Sequence, residues 1–485
     1  MPDDSASSPV AAASADDAAA VGAGARGSSR GLIWLVAAAF FMQALDSTIV
    51  NTAVPAMAEA LGVTPLGMRT ALTSYVLTLA ILIPASPWLC DRFGTRRVFG
   101  AAIAVFGVGS LLCGISQNLP QLVASRVLQG IGGASLMPVG RYVLVRSFDK
   151  REFVHVMATV ATFGLLGSVL GPLLGGALTE FASWRLIFLI NVPVGVAGLW
   201  MNQQDMPDYR LDRAHRFDFL GFLLFAAASA LLLTASELVG GERVVWRLIG
   251  ACAALALLFG ALYVWHSRRA PHPVADLSLL RVRSVWVSLA GNLFTRLGVS
   301  GMFLLLVLFL QVGCGWSPLM AGLMMVPQAL GSISAKWLIN RVLVRFGYRR
   351  LLLTNTLVVA VLLASFALFG RETPMWLIAL LVFVYGSFMG MQYTAMNTLI
   401  YHDLDIRHAA MASSMASTAQ YLSMSFGIAL STLLMESLLR GHAHEDYIVA
   451  FRWTVLILAA ITAGASRIFS QLRPDRPATA AARAA

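Results

Sequence analysis

Apolar stretches of about twenty residues, separated by short polar breaks, recur along almost the whole chain. At roughly 20 residues per bilayer crossing, they predict about fourteen spans: near residues 32–55, 70–89, 98–117, 119–140, 154–179, 185–204, 219–237, 245–265, 285–312, 318–340, 351–369, 375–399, 409–436 and 451–470. A helix satisfies its own backbone hydrogen bonds in lipid, so the expected fold class is an all-α polytopic membrane protein. The Ala/Ser/Gly/Asp tract at 1–29 and the segment 471–485 lack this pattern and read as disordered tails. No basic stretch with a cleavage site precedes the first span, so that span is expected to stay as an anchor.

Composition agrees with this picture. Hydrophobic residues make up 58% of the 485, charged residues 12%, and the mean hydropathy is +0.75, outside the balance of a soluble globular chain. The net charge of +11 raises the question of a nucleic-acid partner, which the placement of the cations answers. With the N-terminus inside, 25 of the 35 Lys and Arg fall on the cytoplasmic side, seven outside and three within spans. That is the positive-inside asymmetry, met by an even number of spans with both termini cytoplasmic. Basicity therefore encodes orientation in a lipid bilayer, and no nucleic-acid partner is expected. Cys90, Cys113, Cys252 and Cys314 stand singly, without metal-ligand spacing, so neither disulfide nor metal is expected.

The chain contains an internal repeat. "DRFGTRRVF" at 91–99 follows the second expected span and "VRFGYRRLL" at 344–352 follows the tenth. The copies lie 253 residues apart, room for eight spans where a duplicated six-helix unit needs six. The expected organisation is a six-helix bundle at 30–205, two inserted helices within 206–270 and a second six-helix bundle at 271–470. Gly94 permits a tight turn, and Asp91 can meet arginines of neighbouring loops as a conformational latch; pure topology signalling by Arg92, Arg96 and Arg97 is the alternative. Val344 replaces the acid in the second copy.

Four motifs now carry a resemblance. "LDSTIVNTAVP" (45–55), "DRFGTRR" (91–97), "RVLQGIGGA" (126–134) and "GSVLGPLLGG" (167–176) resemble, in order, the first-helix, loop, fourth-helix and fifth-helix motifs of the major facilitator superfamily. The match, from about residue 32 to 470, is to the fourteen-span drug:proton antiporters of the EmrB/QacA type. "SWRLIFLINVPVG" (183–195) and "QYTAMNTL" (392–399) look like the HsrA/MdtD group of bacterial multidrug transporters. The resemblance implies a major facilitator fold in the bacterial inner membrane, with antiport rather than uptake. One departure is Pro87, where the loop motif usually begins with Gly.

Asp46 sits at mid-span, where an ionised, lipid-facing carboxylate costs about 2.5–3.5 kcal/mol on insertion scales. It should face the interior. At 1.5 Å per residue, Asp46 lies about 13 Å and Arg126 about 10 Å below the outer ends of their spans, so the two charges share a depth. Asp46 paired with Arg126 stays ionised, and takes a proton when that partner moves or is competed for by substrate. A static structural ion pair is the alternative.

Arg296 lies near the midplane without an evident acidic partner, which points to substrate contact or gating. Lys336 sits close to the cytoplasmic end of its span and can snorkel. Glu180, Glu237 and Glu436 fall at outer helix ends and read as loop residues. Gly167, Gly171 and Gly175, with Pro172 between them and Gly176 following, form a small-residue stripe that lets helices pack closely and rock. Gly130, Gly132 and Gly133 lie inside an apolar helix, which excludes a dinucleotide turn.

No phosphate-binding loop occurs, and Lys150 and Lys336 are the only lysines, so transport must draw on a gradient and no cofactor is expected. Candidate cavity residues are Gln43, Asn51, Tyr75, Gln129, Asn292, Arg296, Gln392, Tyr393, Asn397 and Gln420, among Met and Phe that can re-pack around diverse ligands. The "HAHED" stretch at 442–446 reads as a solvated outer loop. The expected function is monomeric, proton-coupled, alternating-access export of amphipathic or cationic small molecules. Transport of one defined metabolite and a non-transporting sensor on a transporter fold are the alternatives. No nucleophile–base or metal constellation points to catalysis.

Overall fold

The computed structural model describes residues 29–210, 217–239, 245–271, 273–404, 409–441 and 447–472. Most of both expected tails and the 442–446 loop lie outside these residues. The described chain is helical throughout, without a strand. In order the helices are α1 Ser29–Leu61, α2 Arg69–Leu82, α3 Ser86–Phe93, α4 Thr95–Ile115, α5 Leu119–Ser147, α6 Lys150–Phe181, α7 Leu186–Leu189, α8 Asn191–Asp205, α9 Phe219–Val239, α10 Trp246–Ser267, α11 Arg283–Val299, α12 Met302–Leu308, α13 Pro318–Leu323, α14 Val326–Ser365, α15 Met375–Leu399, α16 Ala409–Gly441 and α17 Tyr447–Phe469.

Thirteen described segments are long and apolar enough to cross a membrane. The longest, Pro318–Leu368, has 51 residues and bends at Gly347, where φ is 70° and ψ 170°. Gly94 occupies the matching place between α3 and α4 with φ 89°. A side chain at either position would be held in the left-handed half of backbone space, so each copy of the repeated phrase breaks the helix at its glycine. Pro87 falls in the first turn of α3, where a missing N–H breaks no intrahelical bond. The ninth expected span is not one rod, because α11 and α12 are followed by a π-helical turn at Phe309–Gly313.

The packing is that of a protein in lipid. Large apolar side chains point outward, with Trp337 84%, Leu257 76% and Trp376 68% exposed, while Asp46, Arg126, Gln129 and Gln392 are buried. Without a hydrophobic drive between helices, small residues and polar bonds hold them together. Along α6, a methyl at Gly167 would sit 2.5 Å from the Phe41 carbonyl of α1, and at Gly171 and Gly175 it would collide with Thr48 and the Ile49 carbonyl. The next residue, Gly176, lies against Pro318 of α13, and Gly322 of α13 lies against the Pro172 carbonyl. Thus α6 is the seam where the first group of helices meets the last. The groups also meet at α2 with α16 and α1 with α12.

The two helices between the groups, α9 and α10, pair with one another at the periphery. Only 22% and 17% of their apolar windows are buried, against 72% for Arg283–Gly313. Their contact with the rest includes α9 against α2 and α16.

Candidate functional site

Five helices converge on Asp46. α1 carries the carboxylate; α5 carries Arg126 and Gln129, one turn apart and hence on one face. Arg126 Nη1 donates to Asp46 Oδ2 at 2.9 Å, and Gln129 Nε2 donates to Asp46 Oδ1 at 2.8 Å. Asn191, the first residue of α8, donates to the same Oδ1 at 3.3 Å. Gln129 ties the group further by accepting from Arg126 at 2.6 Å and donating to Ser110 of α4 at 2.7 Å. Tyr75 of α2 completes it, with the Arg126 guanidinium 4.1 Å from its ring centroid. Every member is buried. Removing one partner of such a buried pair leaves an uncompensated charge, typically about 3–5 kcal/mol.

This network borders a cavity of about 330 Å³ between the two groups of helices. Ser47, Thr48, Asn51, Tyr75, Arg126 and Ser168 line one side, and Arg296, Gln328, Tyr385, Met389, Tyr393 and Met424 the other. The hydroxyls of Tyr75 and Tyr385 have no hydrogen-bond partner among the described residues.

On the second side, Arg296 Nε donates to Asn292 Oδ1 at 2.5 Å, and its guanidinium lies 3.9 Å from the Tyr393 ring centroid. Asn292 donates in turn to Asn397 Oδ1 at 3.4 Å. Among the described residues, no carboxylate forms an ion pair with Arg296. The cavity therefore shows a neutralised arginine on one wall and an uncompensated one on the other.

The candidates read from the sequence divide by position. Asn51, Tyr75, Arg296 and Tyr393 line the cavity, while Gln129, Asn292 and Asn397 stand behind it as supports. Gln392 lies off the wall, accepting from Asn355 at 2.7 Å and donating to Thr356 at 2.8 Å, so it joins α15 to α14. Gln43 and Gln420 are also off the wall. Sequence reasoning missed Ser47 and Thr48, although they follow Asp46 directly, and Tyr385, whose apolar setting gave no sign of a cavity.

The arginine-rich turn is tied to two places. Asp91 accepts from the Tyr142 hydroxyl at 3.3 Å, to which Arg146 also donates at 3.0 Å. Arg96 Nε donates to the Met206 carbonyl at 2.6 Å and Thr95 to the Pro207 carbonyl at 2.6 Å, which fastens the turn to the chain leaving α8. Arg92 and Arg97 are exposed.

At the opposite face the reading of Glu180, Glu237 and Glu436 as loop residues is corrected, since all three lie inside helices, α6, α9 and α16. Glu237 and Glu436 meet Arg69, the first residue of α2. Arg69 Nε donates to Glu237 Oε2 at 2.8 Å, and its Nη1 pairs with Glu436. Thr70 and Thr73 donate to Glu237 at 3.0 and 3.1 Å. Glu180 accepts from the Leu319 amide at 3.0 Å, joining α6 to α13.

A family model described as Major Facilitator Superfamily matches residues 36–216 and 214–428. The chain is 41% identical over 453 residues to "Putative multidrug resistance protein MdtD" of Klebsiella pneumoniae (strain 342), covering 92% of this chain and 96% of that one. It is 39% identical to the protein of the same name from Serratia proteamaculans (strain 568), covering 92% and 95%. Among solved structures, the fold resembles the POT family transporter PepTSo, with TM-score 0.67, 14% identity, and 91% and 97% coverage. A D-xylose–proton symporter gives TM-score 0.62 with 14% identity over 89% and 96%. Together with its many apolar helices, these matches show a multi-pass protein of the bacterial inner membrane that belongs to the major facilitator superfamily.

Proposed function

We propose that this chain is a proton-coupled antiporter that exports small molecules by alternating access, in line with the multidrug-resistance naming of its relatives. In this reading the chain makes fourteen crossings as two six-helix bundles, 30–205 and 271–470, with an inserted pair between them. The arginine-rich turns are cytoplasmic, the protein works as a monomer in the lipid bilayer, and it carries out neither catalysis nor nucleic-acid binding.

One observation carries the reading: the buried Asp46–Arg126 pair forms the floor of the inter-bundle cavity through Tyr75. With Arg126 in place, Asp46 accepts from three donors, one of them the guanidinium that balances its charge. A substrate that bonds the Tyr75 hydroxyl or stacks on its ring disturbs the seat of the Arg126 guanidinium. As Arg126 withdraws, the carboxylate keeps amide donors alone and loses its counter-charge, a place that a proton can take. Substrate and proton thereby compete for one network. The glycine seam of α6 supplies a surface on which the bundles rock.

The substrates are amphipathic, seated by Met389, Met424 and the tyrosines, which adapt to varied shapes. A cationic substrate would reach Asp46 only once Arg126 has withdrawn. A second reading, transport of one acidic metabolite, is favoured by Arg296, whose charge on the opposite wall lacks a carboxylate among the described residues.

The test is flux in liposomes holding a pH-sensitive dye, with a proton gradient imposed and cationic, neutral and acidic compounds added in turn. Several compounds should trigger proton movement that Asp46→Asn reduces by more than about tenfold, within the range ascribed to a positioned acid–base group. Equal flux in wild type and Asp46→Asn would overturn the coupling role. A response to acidic compounds alone would select the second reading.

A further inference from the structure

We propose that Arg141 and Tyr421 form an entry subsite for organic carboxylates, placed between the side of the arginine-rich turns and Arg296, so that an acidic substrate passes from one arginine to the next. The subsite rests on the second reading above, transport of an acidic compound, and lies off the wall of the cavity. The bonds described between the two bundles gather at the opposite end. Arg69 pairs with Glu436, Gln311 donates to the Thr52 carbonyl at 2.9 Å, the Leu319 amide donates to Glu180 at 3.0 Å, and Ser425 donates to the Thr73 carbonyl at 3.2 Å. The way into the cavity therefore runs from the side of the arginine-rich turns.

Arg141 stands on that way. It is six residues before the end of α5 and fifteen beyond Arg126, which places it about 22 Å further along the helix and about 60° round it. It thus projects from nearly the side that borders the cavity. Arg141 is exposed, and its guanidinium lies 5.8 Å from the Phe40 ring centroid. Among the described residues, no carboxylate forms an ion pair with it, so its charge and its fork of N–H donors are free for a carboxylate.

Tyr421 bridges the two bundles. It belongs to α16, one turn from the cavity-lining Met424 on the side away from Glu436, and it packs against the apolar core of the first bundle. Arg141 of the first bundle and Arg296 of the second both lie within electrostatic reach of its hydroxyl, which has no hydrogen-bond partner among the described residues. A carboxylate leaving Arg141 meets this hydroxyl before it meets Arg296.

Depth explains why two cations serve better than one. A charge is felt through salt water over only about 10 Å at 0.1 M, so an arginine near the midplane captures little from the medium. Arg141 carries positive charge outward, where a cationic cleft raises the local concentration of anions. Direction follows from exposure. Arg141 is screened by water and holds a carboxylate weakly, whereas Arg296 is 5% exposed and holds it more strongly.

The test uses two probes of one shape, the anion 1-naphthoate and the neutral 1-naphthamide. Each is mixed with the full-length chain in lipid nanodiscs at neutral pH, and its naphthalene emission is followed by stopped flow at about 20 mM and about 200 mM salt. Wild type should bind naphthoate faster than naphthamide at low salt, with the difference shrinking at high salt. Arg141→Gln should slow naphthoate association by about tenfold at low salt, flatten its salt dependence, and leave its dissociation and all naphthamide rates unchanged. Arg141→Lys, which keeps the charge, should keep the salt dependence. Arg296→Gln should instead speed naphthoate dissociation while association stays salt-dependent, which separates entry from the cavity site. An Arg141→Gln protein with wild-type association and salt dependence overturns the entry subsite and leaves the acidic reading standing, as does one that slows both probes alike. A wild type that binds the two probes alike overturns both. If Arg141→Gln does not fold, Tyr421→Phe tests the same path: slowed naphthoate association with naphthamide unchanged supports it, and wild-type association overturns it.

Discussion

The guanidinium of Arg126 lies 4.1 Å from the centre of the Tyr75 ring while its Nη1 holds Asp46. A desolvated contact of this kind contributes up to about 2 kcal/mol, and Tyr75 is also part of the cavity wall. Whatever occupies the cavity thus touches the residue on which the coupling arginine rests.

Tyr75→Phe keeps the ring and removes the unpartnered hydroxyl. Dye-loaded liposomes should show a severalfold rise in KM with the proton-to-substrate ratio unchanged. Tyr75→Ala removes the seat, and proton flux should then appear without substrate.

Arg296→Gln removes the uncompensated charge while keeping some hydrogen-bonding capacity. For acidic substrates KM should rise by about tenfold or more, the scale of one charge-assisted hydrogen bond; for neutral amphipaths it should change little. Asn292→Ala frees Arg296 from its 2.5 Å anchor and should give a smaller effect in the same direction. Equal losses for acidic and neutral compounds would remove Arg296 from substrate recognition.

On α6, Gly171→Ala drives a methyl into Thr48, whereas at Gly164 the nearest atoms to such a methyl are 3.9 Å away on Phe40. Overpacking typically costs about 1–3 kcal/mol. Thermal melting in detergent should fall clearly for Gly171→Ala and stay near wild type for Gly164→Ala. Transport should fall with the first variant alone.

Gly347→Ala places a side chain at φ 70°, at about 1–2 kcal/mol. Gly94→Ala carries the same backbone strain at φ 89° and also meets the Asp208 carboxylate, so its melting temperature should drop further. Gly260→Ala, in α10 with open space around it, should cause no loss.

Much of the fold was legible because lipid imposes a simple rule on sequence: about twenty apolar residues, then a break. The repeated RFG phrase located two glycine turns, and counting rise per residue put Asp46 and Arg126 at one depth, where they are found paired. The support around that pair was less visible. Gln129 was assigned to the cavity, yet its amide is used up between Asp46, Arg126 and Ser110. The Arg69 cluster was missed because its members stand in the outer turns of three separate helices, where an isolated charge looks like any solvated residue. Only the tertiary arrangement shows that three such ends coincide. Gln392 illustrates the same limit, since a buried amide looks alike in sequence whether it faces a substrate or joins two helices.

The inserted helices α9 and α10 give most of their surface to their surroundings, so their tilt and height follow hydrocarbon thickness more than they follow the rest of the fold. Glu237 rides on α9, two residues before the last one described there. A thicker or thinner bilayer would therefore raise or lower one acid relative to Arg69, and the membrane itself would become a mechanical input to the transporter.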